Sequence, residues 1–189
     1  MVKLNKIYTR TGDAGTTGLV DGSRVSKADP LMAAIGDVDE ANSALGVALV
    51  QMADGPLRRE LSMVQNELFD LGADLATPWR PDAPGEHDLR VSAAQVSRIE
   101  GMIDAANDAL EPLTSFVLPG GSAAAAAMHV ARATARRAER SMVAAAAQRA
   151  LNPQALIYIN RLSDLLFVIA RSLNQNGRDD VLWVPGASR

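Results

Sequence analysis

The 189-residue chain has a formal net charge of −3 and no cysteine, which excludes disulfides, cysteine-type zinc sites and thiolate chemistry and fits a reducing cytoplasm. Hydrophobic residues make up 48%, enough for one domain over residues 1–189 with a substantial core. The negative balance excludes a general nucleic-acid binder, because positive charge is too local to track a phosphate backbone.

The start, MVKLNKIYTRTGD, has neither the apolar core of a secretory signal nor the composition of a transit peptide, and the chain reads as cytoplasmic. Residues 7–22, IYTRTGDAGTTGLVDG, are rich in glycine and threonine with too little periodicity for a helix, so they predict a loop. Glycines let backbone amides approach an anion and threonines add hydroxyl donors, a composition suited to a phosphate cradle. A simple turn-rich arm fits the same residues, and no Gly-Lys-Ser/Thr follows at P-loop spacing.

Asp29-Pro30 predicts an N-cap and first helical position, with the helix running to about Ala53. Leu31, Ile35, Val38, Leu45 and Leu49 form its core stripe, with Asn42 inside it, read as a buried, hydrogen-bonded side chain in preference to a ligand contact. Asp39 borders the stripe, where a carboxylate can meet a partner arginine. A second helix spans about Pro56 to Ala76, with Leu57, Leu61, Val64, Leu68, Leu71 and Leu75 inward. Residues 78–91 predict a surface loop with His87 solvated. Ser92 and Gln95 form a capping box for a third helix to about Leu110, with Val96, Ile99, Ile103 and Leu110 inward.

Ser122 caps a fourth helix reaching about Ala150, in which alanine supplies fourteen of the thirty residues 121–150, so neighbouring helices can approach closely. The run Pro112–Ala131 is uncharged, but Pro119, Gly120, Gly121 and its alanines make it a poor membrane span, and no membrane role follows. Inside this helix RATARRAER, residues 132–140, concentrates a local charge of +3, leaving −6 for the rest of the chain. At about 100° per residue, Arg132, Arg136 and Glu139 share one arc and Arg137 faces elsewhere, so the helix can address two neighbours. The stretch fits an anion site, because arginine forks suit phosphate oxygens, and equally a solvated face. His129 has no histidine or cysteine nearby and reads as structural.

Asn152-Pro153 opens a fifth helix with Tyr158, Leu162, Leu165, Leu166, Ile169 and Leu173 on one face. Asn160, Asp164 and Arg171 form an opposite ridge, facing either solvent or a ligand. Asn176-Gly177 ends it, and VLWV predicts a short strand or an arm.

Taken together, KIYTRTGDAGTT, Lys27, DVDE at 37–40, FDLGADLATP at 69–78, SFVLPGG at 115–121, HVARATARRAER at 129–140 and INRLSD at 159–164 resemble the ATP:cob(I)alamin adenosyltransferase family of the propanediol-utilisation type, in order from Lys6 to Arg171. The resemblance implies an all-α five-helix bundle with an N-terminal phosphate-binding loop and a short C-terminal arm, assembled as a homotrimer with ATP and corrinoid where subunits meet. It implies that Thr9, Arg10, Thr11, Gly12, Gly15, Thr17, Gly18 and Lys27 cradle the triphosphate, and that Arg136, Arg137, Glu139, Arg140 and Asn160 complete the nucleotide site. It gives Arg132 a pairing with Asp39 of the neighbouring subunit, and it places Phe116 against the lower face of the corrinoid. Residues 116–121 alone would make Phe116 a plug over the fourth helix. ATP and cob(I)alamin are the implied substrates and Mg²⁺ the implied ion, with its ligands unassigned. A cob(II)alamin reductase and an adenosylcobalamin-dependent mutase are the implied partners. The fifth helix departs from the pattern, ending in SLNQNG where many members carry an aromatic and alanine. A non-catalytic bundle that senses or carries ATP or corrinoid is the competing class.

Overall fold

The computed structural model describes residues 7–83, 85 and 88–187. Across them run the helices α1 (Pro30–Val50), α2 (Pro56–Ala76), α3 (Ala93–Asn107), α4 (Ala123–Ala146) and α5 (Pro153–Leu173), the bundle expected from sequence. His87 lies outside the described residues.

The caps act as the sequence predicts. Asp29 accepts from the Leu31 amide at 2.8 Å, Ser122 from Ala125 at 3.1 Å and Asn152 from Gln154 at 3.0 Å. Ser92 and Gln95 cap one another's backbone. Each such cap is worth about 1 kcal/mol because it satisfies a helix amide that has no partner within the helix. Three helices end earlier than expected, α1 at Val50, α3 at Asn107 and α4 at Ala146. In α1 the Gln51 and Met52 amides turn back to Ala48 and Leu49, tightening the last turn, and Met52 is buried. In α4 both Gln148 and Arg149 bond the Ala145 carbonyl, and Arg149 reaches Asp29 at 2.6 Å.

The predicted stripes form the core: Leu31, Val38, Leu45 and Leu49 of α1, Leu61, Val64, Leu68, Leu71 and Leu75 of α2, and Tyr158, Leu162, Leu165, Leu166 and Ile169 of α5 are buried. The α4 alanines 124, 125, 131, 135, 138 and 145 are buried too, which lets α1 and α5 pack close on either side. Both run antiparallel to α4, since Asp29 meets Arg149 and Asp37 meets Ser141, while Glu139 meets Asn160 and Ser122 meets Leu173. Asn42 is buried as expected, donating to the Gln65 carbonyl at 3.0 Å, and Gln65 donates back to the Asn42 carbonyl at 3.2 Å.

Two expectations are corrected. Residues 7–22 are not loop throughout, because β1 (Thr16–Gly18) pairs antiparallel with β2 (Arg24–Ser26), Thr17 opposite Val25. The turn between them is closed by Asp21, which accepts from the Ser23 amide and hydroxyl, and by Gly22 at φ 82°. The hairpin is hooked to the bundle through Val20, whose amide bonds the Ala76 carbonyl at 3.0 Å. Arg171 does not stand on an open ridge with Asn160 and Asp164. It is buried, donating to Asp180 at 2.8 Å and to the Glu111 carbonyl at 3.0 Å, because the chain after α5 folds back over it. That returning segment is the expected arm: Leu182 pairs antiparallel with Val117.

Candidate functional site

Along α4 the side chains of Arg132, Arg136 and Arg140 follow one another between two ends of the bundle. The hairpin sits at one end, beside the start of α1 and the end of α2. The 115–118 connector sits at the other, beside the start of α4. With a rise of about 1.5 Å per residue, Arg132 and Arg140 are separated by about 12 Å along this axis.

At the hairpin end the glycine and threonine residues are exposed or half-buried. Thr9 and Thr11 share a hydroxyl hydrogen bond at 2.9 Å. Arg10 takes the left-handed conformation at φ 63°, as does Gly15 at φ 79°. For a non-glycine residue that costs on the order of 1–3 kcal/mol and is concentrated at functional sites. The Lys27 amide donates to the Gly15 carbonyl at 2.9 Å. The Lys27 ammonium lies so near Gly12 that a Cβ there would meet Nζ at 3.0 Å, so Gly12 leaves room for the cation over the loop. Thr17 and Gly18 lie on β1. Arg24, which sequence reasoning missed, fastens the loop by donating to the Thr11 carbonyl at 2.7 Å and to the Thr16 carbonyl at 3.1 Å. Exposed amides, hydroxyls and a lysine over a glycine turn suit an anion.

On α4 the arginines have different environments. Arg136 and Arg140 are exposed, and Arg140 donates to the Arg136 carbonyl at 2.9 Å. Arg137 turns to α1, where it is ion-paired with Glu40 and with Asp37 at 3.3 Å. Glu139 turns to α5 and accepts from Asn160 at 2.8 Å, so α4 does address two neighbours. Arg132 is half-buried and its Nε has no hydrogen-bond partner among the described residues. Burial, then the nearby Arg136, push its pKa below the usual arginine value. Asp39 is exposed and makes no ion pair among the described residues, so Arg132 and Asp39 do not meet within the chain.

At the connector end Phe116 is 77% exposed, which rules out a plug within this chain. Its ring meets Trp183 edge-on, with centroids 5.9 Å apart. Phe116, Leu113, Val117, Phe167 and Arg132 line one cavity of about 530 Å³. A second cavity, of about 430 Å³ between α1 and α2, is lined by Asp39, Met32, Ile35, Asn42 and the exposed Phe69. The Asn42 Oδ1 there is buried without a hydrogen-bond partner among the described residues. Phe69, Phe167 and Trp183 were not singled out from sequence; the only available signal for Phe69 and Trp183 was a large apolar residue off the core stripe.

His129 is buried against Phe167, with ring centroids 6.3 Å apart and neither ring nitrogen hydrogen-bonded among the described residues. Burial and then Arg132 hold its pKa below the usual histidine value, so it is neutral and packed, as its reading as structural requires.

The chain is similar to known proteins over nearly its whole length. The family model for cobalamin adenosyltransferase matches residues 7–173. A corrinoid adenosyltransferase of Mycobacterium tuberculosis is 50% identical over 191 residues, covering 100% of this chain and 97% of its own length. A cobalamin adenosyltransferase of Cupriavidus metallidurans is 48% identical, covering 96% and 95%. Among solved structures, a phenylalanine-to-histidine variant of the PduO-type ATP:corrinoid adenosyltransferase from Lactobacillus reuteri, complexed with cobalamin and ATP, superposes with a TM-score of 0.87 at 37% identity, covering 95% of this chain and 97% of that one. The chain belongs to the cobalamin adenosyltransferase family.

Proposed function

We infer that the protein is a corrinoid adenosyltransferase, which transfers the 5′-deoxyadenosyl group of ATP to the cobalt of cob(I)alamin and releases adenosylcobalamin and triphosphate. The observation that carries this is the row on α4: Arg132 lines the Phe116 cavity, while Arg136 and Arg140 continue toward the end of the bundle that holds the glycine–threonine hairpin. The row connects an apolar pocket to an anion cradle.

The cobalt lone pair attacks C5′, the C5′–O bond breaks, and its electrons leave with the triphosphate. The nucleophile comes with the substrate, so no general base is required of the chain. What it must supply is a clamp for the leaving group and alignment of the reacting atoms. Thr9, Arg10, Thr11, Gly12, Gly15, Thr17, Gly18 and Lys27 would hold the phosphates, with Arg136 and Arg140 opposite. Glu139 and Asn160, already bonded to one another, would fix the nucleoside side; Arg137, which the resemblance assigns to the nucleotide site, is ion-paired with Asp37 and Glu40 and would instead anchor this part of α4 to α1. Mg²⁺ would spread the triphosphate charge. The hydroxyl, amide and ammonium donors of the loop suit phosphate rather than a bare cation, so the ion would be held chiefly by the phosphate oxygens.

Arg132 with an unpartnered Nε and Asp39 exposed without an ion pair support a site shared between copies of the chain, in a homotrimer. There the Phe116 cavity of one copy faces the Asp39 cavity of the next and encloses the corrinoid. An apolar wall at Phe116 would exclude water and a lower ligand from cobalt, favouring the four-coordinate state that reduces readily. The whole chain would act as one catalytic domain in the cytoplasm, where a reductase supplies Co(I) and a mutase takes the product. No helix among the described residues is long and apolar enough to cross a membrane.

The test is turnover by purified protein with ATP and strongly reduced cobalamin. Growth of a light-sensitive alkyl-cobalt absorbance is expected. Tight binding of both substrates with no such product would favour a sensor or carrier instead.

A further inference from the structure

We propose that the buried Arg171–Asp180 ion pair is a positioning device that fastens the 181–184 segment to the bundle and thereby holds Phe116 in place over its cavity. This rests on the corrinoid reading above.

Apart from the Trp183 ring against Phe116, the segment has little hydrophobic anchoring, since none of Val181, Leu182, Trp183 and Val184 is buried. Burial of apolar surface, the usual reason a chain end stays docked, is therefore weak here. Polar contacts hold it instead. Asp180, with its side chain 2% exposed, accepts from Arg171 Nε at 2.8 Å and from Asn174 Nδ2 at 3.1 Å. Asn174 in turn donates to the Gly120 carbonyl at 3.2 Å and accepts from the Ser122 amide at 3.0 Å, so one network joins the end of α5, the start of α4 and the segment. Gly121, at φ 94°, is required here, because a Cβ would meet Asn174 Oδ1 at 2.2 Å.

From this anchor the segment runs directly beside the Phe116 connector. Leu118 donates to the Val181 carbonyl at 2.7 Å, Trp183 donates to the Phe116 carbonyl at 2.8 Å, and Ser115 Oγ donates to the Trp183 carbonyl at 2.7 Å. Phe116 sits on a connector between helices with its ring exposed, so its backbone position depends on that pairing. A buried ion pair is a weak source of net stability, but its directional bonds fix which atoms meet, and breaking one partner leaves an uncompensated charge. Arg171 and Asp180 touch neither substrate in this scheme and act through Phe116.

Asp180→Asn keeps the shape and removes the charge. In the full chain with ATP bound, we expect the four-coordinate cob(II)alamin signal in absorbance and paramagnetic resonance to fall by about tenfold and KM for cobalamin to rise by a similar factor, with KM for ATP within about twofold of wild type. Trp183→Pro leaves the buried pair intact and removes both the amide that holds the Phe116 carbonyl and the indole ring that meets the Phe116 ring. It should lose the same signal with no change in the thermal midpoint. Wild-type spectra in both variants would overturn the proposal. So would a loss in Asp180→Asn that accompanies unfolding while Trp183→Pro keeps the signal, because the pair would then serve only the bundle. If the wild-type protein itself binds no cob(II)alamin, the functional reading fails and this inference with it.

Discussion

Arg132 and Arg137 stand five positions apart on α4, and the fold treats them oppositely: Arg137 is ion-paired with Asp37 and Glu40 of α1, while Arg132 presents a buried Nε with no partner among the described residues. Leaving a buried donor of a charged group unsatisfied costs on the order of 1–3 kcal/mol, which a carboxylate from outside the chain would offset. In the proposed shared site, Asp39, exposed on α1, would be that carboxylate from a neighbouring copy. Mixing inactive Arg132→Ala and Asp39→Ala chains should therefore restore part of the activity, because some mixed trimers contain one interface with both groups intact. Absence of recovery after proven subunit exchange would contradict a shared site.

Arg136→Ala should act through ATP. The side chain is exposed, so truncation leaves the core intact, and a lost charge-assisted bond is worth about 1.5–3 kcal/mol, or a rise of roughly tenfold to a hundredfold in KM for ATP. Arg137→Ala should instead lower thermal stability only slightly, since solvent screens a half-exposed pair. Steady-state kinetics beside thermal melts separate the two. Unchanged KM for ATP in Arg136→Ala would remove Arg136 from the nucleotide site.

His129 predicts a pH dependence with a definite sign. Its folded pKa is lowered by burial and then by Arg132, with Asp180 opposing weakly, so between that value and the unfolded value of about 6.5 the unfolded chain binds more protons. Stability should be fully present above about pH 6.5 and fall as the pH drops, with a slope from this one proton of at most about 1.4 kcal/mol per pH unit. Denaturant titrations of wild type and His129→Gln between pH 7.5 and about 5 would measure it, and a smaller decline in the variant is expected. Parallel curves would show that His129 does not carry the effect.

Phe116→Ala should keep the fold and ATP affinity, because a ring that is 77% exposed contributes little buried area. The four-coordinate cob(II)alamin signal and most turnover from cob(II)alamin should be lost. A variant that melts much earlier yet forms the four-coordinate species normally would reduce Phe116 to a packing residue.

The helices were legible because their causes are local. Asp29, Ser92, Ser122 and Asn152 announce helix starts by cap chemistry, and leucine spacing gives the inward faces. The hairpin was not, since strands of three residues such as Thr16–Gly18 carry too few positions for alternation to register. Helical arcs correctly separated Arg137 from Arg132, Arg136 and Glu139. An arc describes direction around one helix axis, however, and does not say what covers the helix end. Arg171 therefore shared a ridge with Asn160 and Asp164 in the sequence but is buried by a segment that arrives nine residues later at Asp180. For the same reason, no periodicity could assign Phe69 to a cavity wall or Trp183 to the Phe116 ring.

In the proposed reaction the bond broken in ATP is C5′–O, with all three phosphates leaving together. A single turnover with reduced cobalamin and ATP carrying carbon-13 at C5′, followed by nuclear magnetic resonance of the carbon and phosphorus products, tests it directly. The account predicts the labelled carbon bound to cobalt and one intact triphosphate for each adenosylcobalamin formed. Label remaining in ADP or AMP, with orthophosphate or pyrophosphate as the phosphorus product, would contradict it.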